Sequence, residues 1–179
     1  MKNVKIIQKK VLLRLNRSVL VECRIRVGQQ TLLRHSIEHP GCVVIIPQLG
    51  KDQFLLVKQY RYAARGWLWE FPAGGIEKGE SIEHGARREL MEECGYAPGR
   101  LKKILSFFPT PGISEEKMHL FLAQNLKPAY AEKDADEEFE IKVFSLKQIG
   151  NMIRRKKIED GKTLIGYFYM KEKTRLAAR

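Results

Sequence analysis

The sequence predicts an α+β protein: a small antiparallel sheet at the N-terminus, followed by a larger domain of strands and helices. Three observations lead there. Residues 4–35 are a succession of short β-prone runs broken by turn residues, and Cys42-Val-Val-Ile-Ile46 is an unbroken apolar run of strand length. The stretch from Gly74 to Tyr96 reads as a glycine-rich loop entering a helix.

Taken in order, the N-terminal runs are Val4-Ile7, Val11-Leu15, Val19-Val27 and Thr31-Leu33, with turn chemistry at Asn16-Arg17-Ser18 and around Gly28. They predict a meander over residues 1–36, set apart from a principal domain over 37–179. After His39-Pro40-Gly41 the apolar run 42–46, the turn Gly50-Lys51-Asp52 and the run Phe54 to Gln59 predict a central hairpin. Ile104-Phe108 and Met118-Ala123 read as strands on either side of a Pro/Gly loop, and Glu140-Phe144 as another. Residues 146–157 and 162–173 read as helices. There is no internal repeat and no low-complexity linker.

Composition narrows the class. A chain of 179 residues with 44% hydrophobic content buries one sizeable core without needing cross-links. Cys23, Cys42 and Cys94 are widely spaced and form no Cys-x-x-Cys pair, so neither a disulfide framework nor a zinc site is indicated. The four histidines, His35, His39, His84 and His119, show no ligand spacing and are read as structural or solvated. The N-terminus has no signal-peptide apolar block and no run approaches the roughly 20 residues of a membrane span. A soluble, cytoplasmic protein is expected.

The segment Gly74 to Tyr96 carries the chemistry. Ser81 suits an N-cap, and Gly95 is placed to stop the helix in a left-handed conformation. Ile82, Ala86 and Leu90 recur every four residues as a buried stripe, while Glu89 and Glu93 share a different face beside Glu92. Like charges at that spacing repel, so the trio weakens a helix unless cations hold it. Hard oxygen donors on a rigid helix suit Mg²⁺ or Mn²⁺, which grip phosphate oxygens, and Arg88 is placed to orient the carboxylates. A solvated acidic helix face is the alternative reading.

The same segment resembles the Nudix box: glycine, five residues, Glu, seven residues, then Arg-Glu-aliphatic-any-Glu-Glu-any-Gly-aliphatic. Gly74, Glu80, Arg88, Glu89, Leu90, Glu92, Glu93 and Gly95 all fall in place, and the one departure is Tyr96 where an aliphatic residue is usual. The resemblance implies a Nudix-type α/β/α sandwich on a mixed sheet, and hydrolysis of a nucleoside diphosphate linked to another moiety. It implies metal ligation by Glu89, Glu93 and the backbone carbonyl of Ala73, with Glu92 helping to hold a metal or its water. Mg²⁺ is the expected ion, with Mn²⁺ as alternative. Such an ion neutralises a diphosphate, activates water and stabilises the leaving oxygen.

Three features outside the box resemble the ADP-ribose pyrophosphatase branch: Gln59-Tyr60-Arg61-Tyr62, the run Trp69 to Gly74, and Pro109 to Glu116, in which Pro111 lies 16 residues past Gly95. The start of the C-terminal helix at Asp160-Gly-Lys-Thr163 is also similar. By this analogy Glu116 is the candidate catalytic base, with Glu115 the neighbour to exclude, and Pro111 belongs to the substrate loop. Arg61 either clamps a substrate phosphate or pairs with a carboxylate, and Glu70 either contacts the ribose or holds Arg61. Trp67 and Trp69, at alternating strand positions, are read as packing residues.

Charge is distributed unevenly. The net +12 resolves into 9 basic against 1 acidic residue over 1–36, 14 against 17 over 37–144, and 10 against 3 over 145–179. Basic flanks around an acidic centre steer anionic substrates, bind nucleic acid, or simply solubilise, the last being the reading for Arg154 to Lys157. The resemblance further implies a homodimer, often with the N-terminal sheet exchanged. The expected reaction is cleavage of ADP-ribose to AMP and ribose 5-phosphate. Another nucleotide sugar such as GDP-mannose is the alternative, and an RNA-binding or 5′-end-processing protein is the reading from a different class.

Overall fold

The computed structural model describes residues 3–130 and 140–177. Three strands, β1 (Val4–Arg14), β2 (Val19–Val27) and β3 (Gln30–Glu38), form an antiparallel meander in the order β1-β2-β3. The expected runs at 4–7 and 11–15 are one strand. β1 accommodates the polar stretch Gln8-Lys9-Lys10 by shifting register between Ile6 and Gln8 and again between Val11 and Leu13. Such bulges let a strand continue where a strict two-residue period would break.

The second sheet is mixed. It contains β4 (Cys42–Gly50), β5 (Gln53–Arg61), β6 (Gly66–Glu70), β7 (Ala73–Gly75), β8 (Tyr96–Phe107), β9 (Met118–Pro128) and β10 (Glu140–Phe144). The order is β10-β5-β4-β9-β8, with β6 added to β5 and β7 to β4. The predicted hairpin is β4–β5, but β4 also runs parallel to β9, which pairs Cys42 with Met118 and Ile46 with Leu122. β4 is therefore hydrogen-bonded along both edges, and its residues Val43 to Ile46 are fully buried, the condition that an unbroken apolar run signals. β8 begins at Tyr96, directly after the helix, well before the expected start at Ile104.

Helices cover both faces. α1 (Ile82–Cys94) packs Ala86, Leu90 and Cys94 against Val43, Ile45, Leu55 and Val57. α2 (Leu146–Arg154) and α3 (Gly161–Ala177) cover the opposite layer, where Val44, Ile46, Phe54, Leu56 and Phe71 meet Ile149, Tyr167 and Met170. The architecture is thus the predicted α+β arrangement of a helix-flanked mixed sheet with a small N-terminal sheet. α2 stops at Arg154 rather than 157 because Lys156 takes φ 55° and Lys157 N–H turns back to the Met152 carbonyl at 2.9 Å. No helix of the described residues is long and apolar enough to cross a membrane.

Candidate active site

The site grows from the ends of α1. The Ser81 hydroxyl accepts the His84 N–H at 3.2 Å, and Gly95 at φ 73° sends its N–H to the Met91 carbonyl at 2.8 Å. With both ends fixed, the apolar stripe faces the sheet and turns Glu89 and Glu93 towards β7, where both are buried. A Cβ on Gly74 would lie 2.1 Å from the Glu89 carboxyl carbon, so the glycine is there for close approach. Glu93 Oε2 accepts the Ala73 N–H at 3.2 Å, which sets that carboxylate beside the Ala73 backbone. β7 is positioned in turn by the pairing of Ala73 with Val44.

Arg88 braces the box. Its Nε and Nη2 donate to the two oxygens of Glu80, each at 3.0 Å, Nη2 also to the Gly75 carbonyl at 3.0 Å, and Nη1 to Glu89 and Glu92, both at 2.8 Å. One planar fork thereby ties loop and helix together. Glu80, hydrogen-bonded by Arg88, the Glu77 N–H and His84, is held down to about 2 even though burial opposes this. Burial pushes the Glu89 carboxyl above its ordinary value, against the pull of Arg88.

A second cluster lies next to the first. Arg61 donates to Glu70 through Nε at 2.8 Å and Nη2 at 2.6 Å. Lys162 from the start of α3 also donates to Glu70, and reaches Asp160 at 2.9 Å. Thr163 accepts the Phe71 N–H at 2.8 Å, docking the helix start on the link between β6 and β7 that leads into the box. Burial alone would raise the Glu70 carboxyl, but Arg61 and Lys162 bring it below its ordinary value.

Glu116 enters from the loop after Pro111. Its carboxylate is 3.9 Å from His39 Nδ1, and its N–H donates to the Ser114 hydroxyl at 3.1 Å. The loop is tethered rather than free: Ile37 N–H donates to the Ile113 carbonyl at 2.8 Å, and Glu115 N–H to the Ile37 carbonyl at 3.0 Å. Pro111 and Glu115 line a cavity of about 250 Å³ with Ser36 and Phe108, whereas Glu116 is not part of that lining. Glu116, Glu89, Glu93 and Lys162 all act electrostatically on Cys42, whose thiol burial pushes up to about 12. The start of β4 is thus the common neighbour of the box, the loop and α3.

Arg17 joins the site although nothing in its local sequence marks it. The β1–β2 turn, closed by Leu15 N–H to the Ser18 carbonyl at 2.8 Å, carries it to the box. Arg17 Nη1 lies 2.6 Å from where a Cβ on Gly75 would sit, and the guanidinium acts on Glu89. Only its place in a turn was visible locally. The core reading also fails for Trp67, which is 53% exposed beside the β5–β6 turn, edge-on to Tyr60 at 5.7 Å. Trp69 does pack, edge-on to Phe144 at 5.1 Å. The cysteines are free and buried, and His35, His84 and His119 face Glu22, Glu80 and Ser106.

Among the described residues, no three acidic, histidine or cysteine side chains converge as a ready cage for a metal. Arg88 draws Glu89 and Glu92, and Glu93 is turned to the Ala73 N–H. The donors nonetheless fit a hard divalent ion. Glu89, Glu92, Glu93 and the Ala73 carbonyl supply only oxygen, and a cation beside the buried Glu89 offsets the desolvation that disfavours its charged form.

A mixed sheet between helices, with a glycine-rich loop delivering braced carboxylates, is an arrangement suited to metal-assisted hydrolysis of a phosphate anhydride. The chain matches the NUDIX domain over residues 38–165 and belongs to that family. It is 33% identical over 148 residues to an ADP-ribose pyrophosphatase of Bacillus subtilis (strain 168), covering 82% of this chain and 80% of that one. It is 36% identical over 143 residues to a methanol dehydrogenase activator of Bacillus methanolicus, covering 79% and 77%. A solved structure described as an ADP compounds hydrolase superposes with a TM-score of 0.84 at 20% identity, over 100% of this chain and 98% of the other, a likeness of fold.

Proposed function

We propose that the protein hydrolyses the diphosphate bond of ADP-ribose to AMP and ribose 5-phosphate with Mg²⁺ as cofactor, Mn²⁺ substituting. The observation that carries the reading is the braced box, with Arg88 bonded to Glu80, Glu89 and Glu92 at once, in a chain 33% identical to an ADP-ribose pyrophosphatase.

Glu89, Glu93 and the Ala73 carbonyl would hold the cation, with Glu92 as a further carboxylate beside them. Bound there, the ion would neutralise phosphate charge, activate water and stabilise the departing oxygen. Arg88 keeps the carboxylates in register. Glu116 takes a proton from the attacking water as the new phosphorus–oxygen bond forms and the bond to the bridging oxygen breaks, and the leaving phosphate carries the released electron pair. Arg61, held by Glu70, offers the guanidinium edge not turned to that carboxylate to a phosphate oxygen. Pro111 shapes the loop that brings Glu116 in.

The N-terminal sheet over residues 1–36 serves as a dimerisation element. The residues of β1 are exposed along its whole length, with Val4, Ile6 and Leu13 more than half exposed, an apolar edge suited to a second copy. Light scattering of the purified chain tests this. A reducing cytoplasmic compartment suits the three free thiols.

Chromatographic product analysis with Mg²⁺ tests the activity on ADP-ribose, GDP-mannose, dinucleotides and triphosphorylated RNA, with Glu93→Gln alongside. AMP from ADP-ribose, lost in the variant, is expected. Turnover of GDP-mannose alone would refute the substrate and keep the site, and turnover of RNA alone would move the function to the basic termini.

A further inference from the structure

The box uses one layer of the main sheet, and the opposite layer carries a group of residues that hydrolysis does not use. β10 pairs with β5 so that Lys142 stands opposite Leu56 and Phe144 opposite Phe54, while Trp69 of β6 stands opposite Lys58. Phe54 and Leu56 belong to the layer covered by α2 and α3, away from the box helix. Between this sheet edge and α2 is a cavity of about 370 Å³, within the usual range of small-molecule pockets.

Its lining combines three chemistries. Trp69 and Phe144, packed edge to face, form an aromatic corner, Lys142, Arg155 and Lys157 supply cations, and Gln148 an amide. The Gln148 carbonyl oxygen accepts the Ser145 N–H at 2.7 Å, which leaves its NH₂ group to donate elsewhere. Among the described residues the lining contains no carboxylate. Glu140 lies outside it and pairs with Lys142 and, at 3.3 Å, with Lys58, exposed pairs that hold a lysine only weakly. A helix C-terminus favours a cation on its last turn. That accounts for Arg155 but not for its convergence with Lys142, which arrives on a strand.

We propose that this cavity is a second ligand site that takes a nucleoside monophosphate. The base sits in the Trp69–Phe144 corner, against one ring face, with Gln148 donating to its edge, and the phosphate meets Lys142, Arg155 and Lys157. Aromatic faces bind any base, and cations converging beside them select the anionic form over the free nucleoside. The site shares no residue with the carboxylate centre and does not depend on which diphosphate that centre cleaves.

The two tryptophans of the chain are at or beside this cavity, with Lys58 Nζ 5.8 Å from both rings, so intrinsic fluorescence reports its occupancy. AMP titrated into the full chain in EDTA is expected to quench that fluorescence. In the triple variant Lys142→Ala, Arg155→Ala, Lys157→Ala the dissociation constant should rise at least about tenfold, while Mg²⁺-dependent hydrolysis stays within about twofold. Lys157→Glu alone should weaken AMP in the same direction and serves if the triple variant does not fold. Glu93→Gln should bind AMP as the native chain does. Native-like AMP binding by the cation variants, or loss of binding in Glu93→Gln, overturns the proposal. So does inorganic phosphate competing as well as AMP, which reduces the site to a phosphate contact. An adenine hexanucleotide binding more than about tenfold tighter than AMP would assign the surface to a strand instead.

Discussion

Gly74 and Glu89 occupy one space: the carboxyl group of Glu89 lies where a side chain on Gly74 would begin, 2.1 Å from its ideal Cβ. The helix carboxylate therefore reaches the β7 backbone only because position 74 has no side chain. Gly74→Ala must swing Glu89 away. Displacement of a catalytic group by about 1 Å costs on the order of 10²-fold, so kcat should fall by that order with Mg²⁺ affinity, while far-UV circular dichroism stays native. Unchanged kcat would show that Glu89 is not required in this position.

The Arg88 fork gives a second expectation. Lysine keeps the charge but cannot bond Glu80, Glu89, Glu92 and the Gly75 carbonyl together. Losing hydrogen bonds to charged groups costs about 1.5–3 kcal/mol each where they are not replaced. Arg88→Lys should unfold at clearly lower urea concentration and lose at least about tenfold in kcat/KM.

Acid should loosen the box through Glu80. Its carboxyl falls from an ordinary 4.5 to about 2 in the folded chain. A depressed value means the folded state binds its proton less readily, so the contribution to stability is full above pH 4.5 and is lost as pH falls towards 2. Urea melts across that window should show stability declining in the native chain and a shallower decline in Glu80→Gln. Parallel curves would exclude Glu80 as the source.

A cation that binds only the folded state raises its stability by RT ln(1 + [L]/Kd), about 2.7 kcal/mol at a hundredfold excess over Kd. Mg²⁺ should therefore raise the melting temperature relative to EDTA, and Glu93→Gln should abolish most of the shift. Because burial holds Glu89 above its ordinary value, binding should also weaken as pH falls through the carboxylate range. Equal melting with and without Mg²⁺ in the native chain would remove the carboxylates as its site.

Lys162 and Glu70 are both buried, 92 residues apart in sequence. Removing one partner of a buried pair typically costs about 3–5 kcal/mol, and Arg61 remains to take part of the charge. Lys162→Met should accordingly lose somewhat less in chemical denaturation, and should free Arg61 less than Glu70→Gln does. A KM raised more by Glu70→Gln than by Lys162→Met would follow from Arg61 meeting the substrate.

The box is legible from local sequence. Ser81, Gly95 and the Ile82, Ala86, Leu90 stripe act within a few residues of one another, so the helix, its ends and its buried face follow from local hydrogen bonds and the 3.6-residue period. The arginine at position 88 reaches its partners within the same stretch. The unbroken apolar run of β4 likewise announced a strand buried on both faces. Tertiary structure decided the rest. Arg61 met Glu70 because β5 and β6 pair in one register, and Lys162 joined them because α3 docks through Thr163 on Phe71. Arg17 reached Gly75 because the β1–β2 turn comes to rest beside the box, and Trp67 stayed exposed because it falls next to the β5–β6 turn, short of the helix-covered end of β6. Such contacts depend on where distant elements come to rest, and no periodicity or spacing in the chain encodes that position.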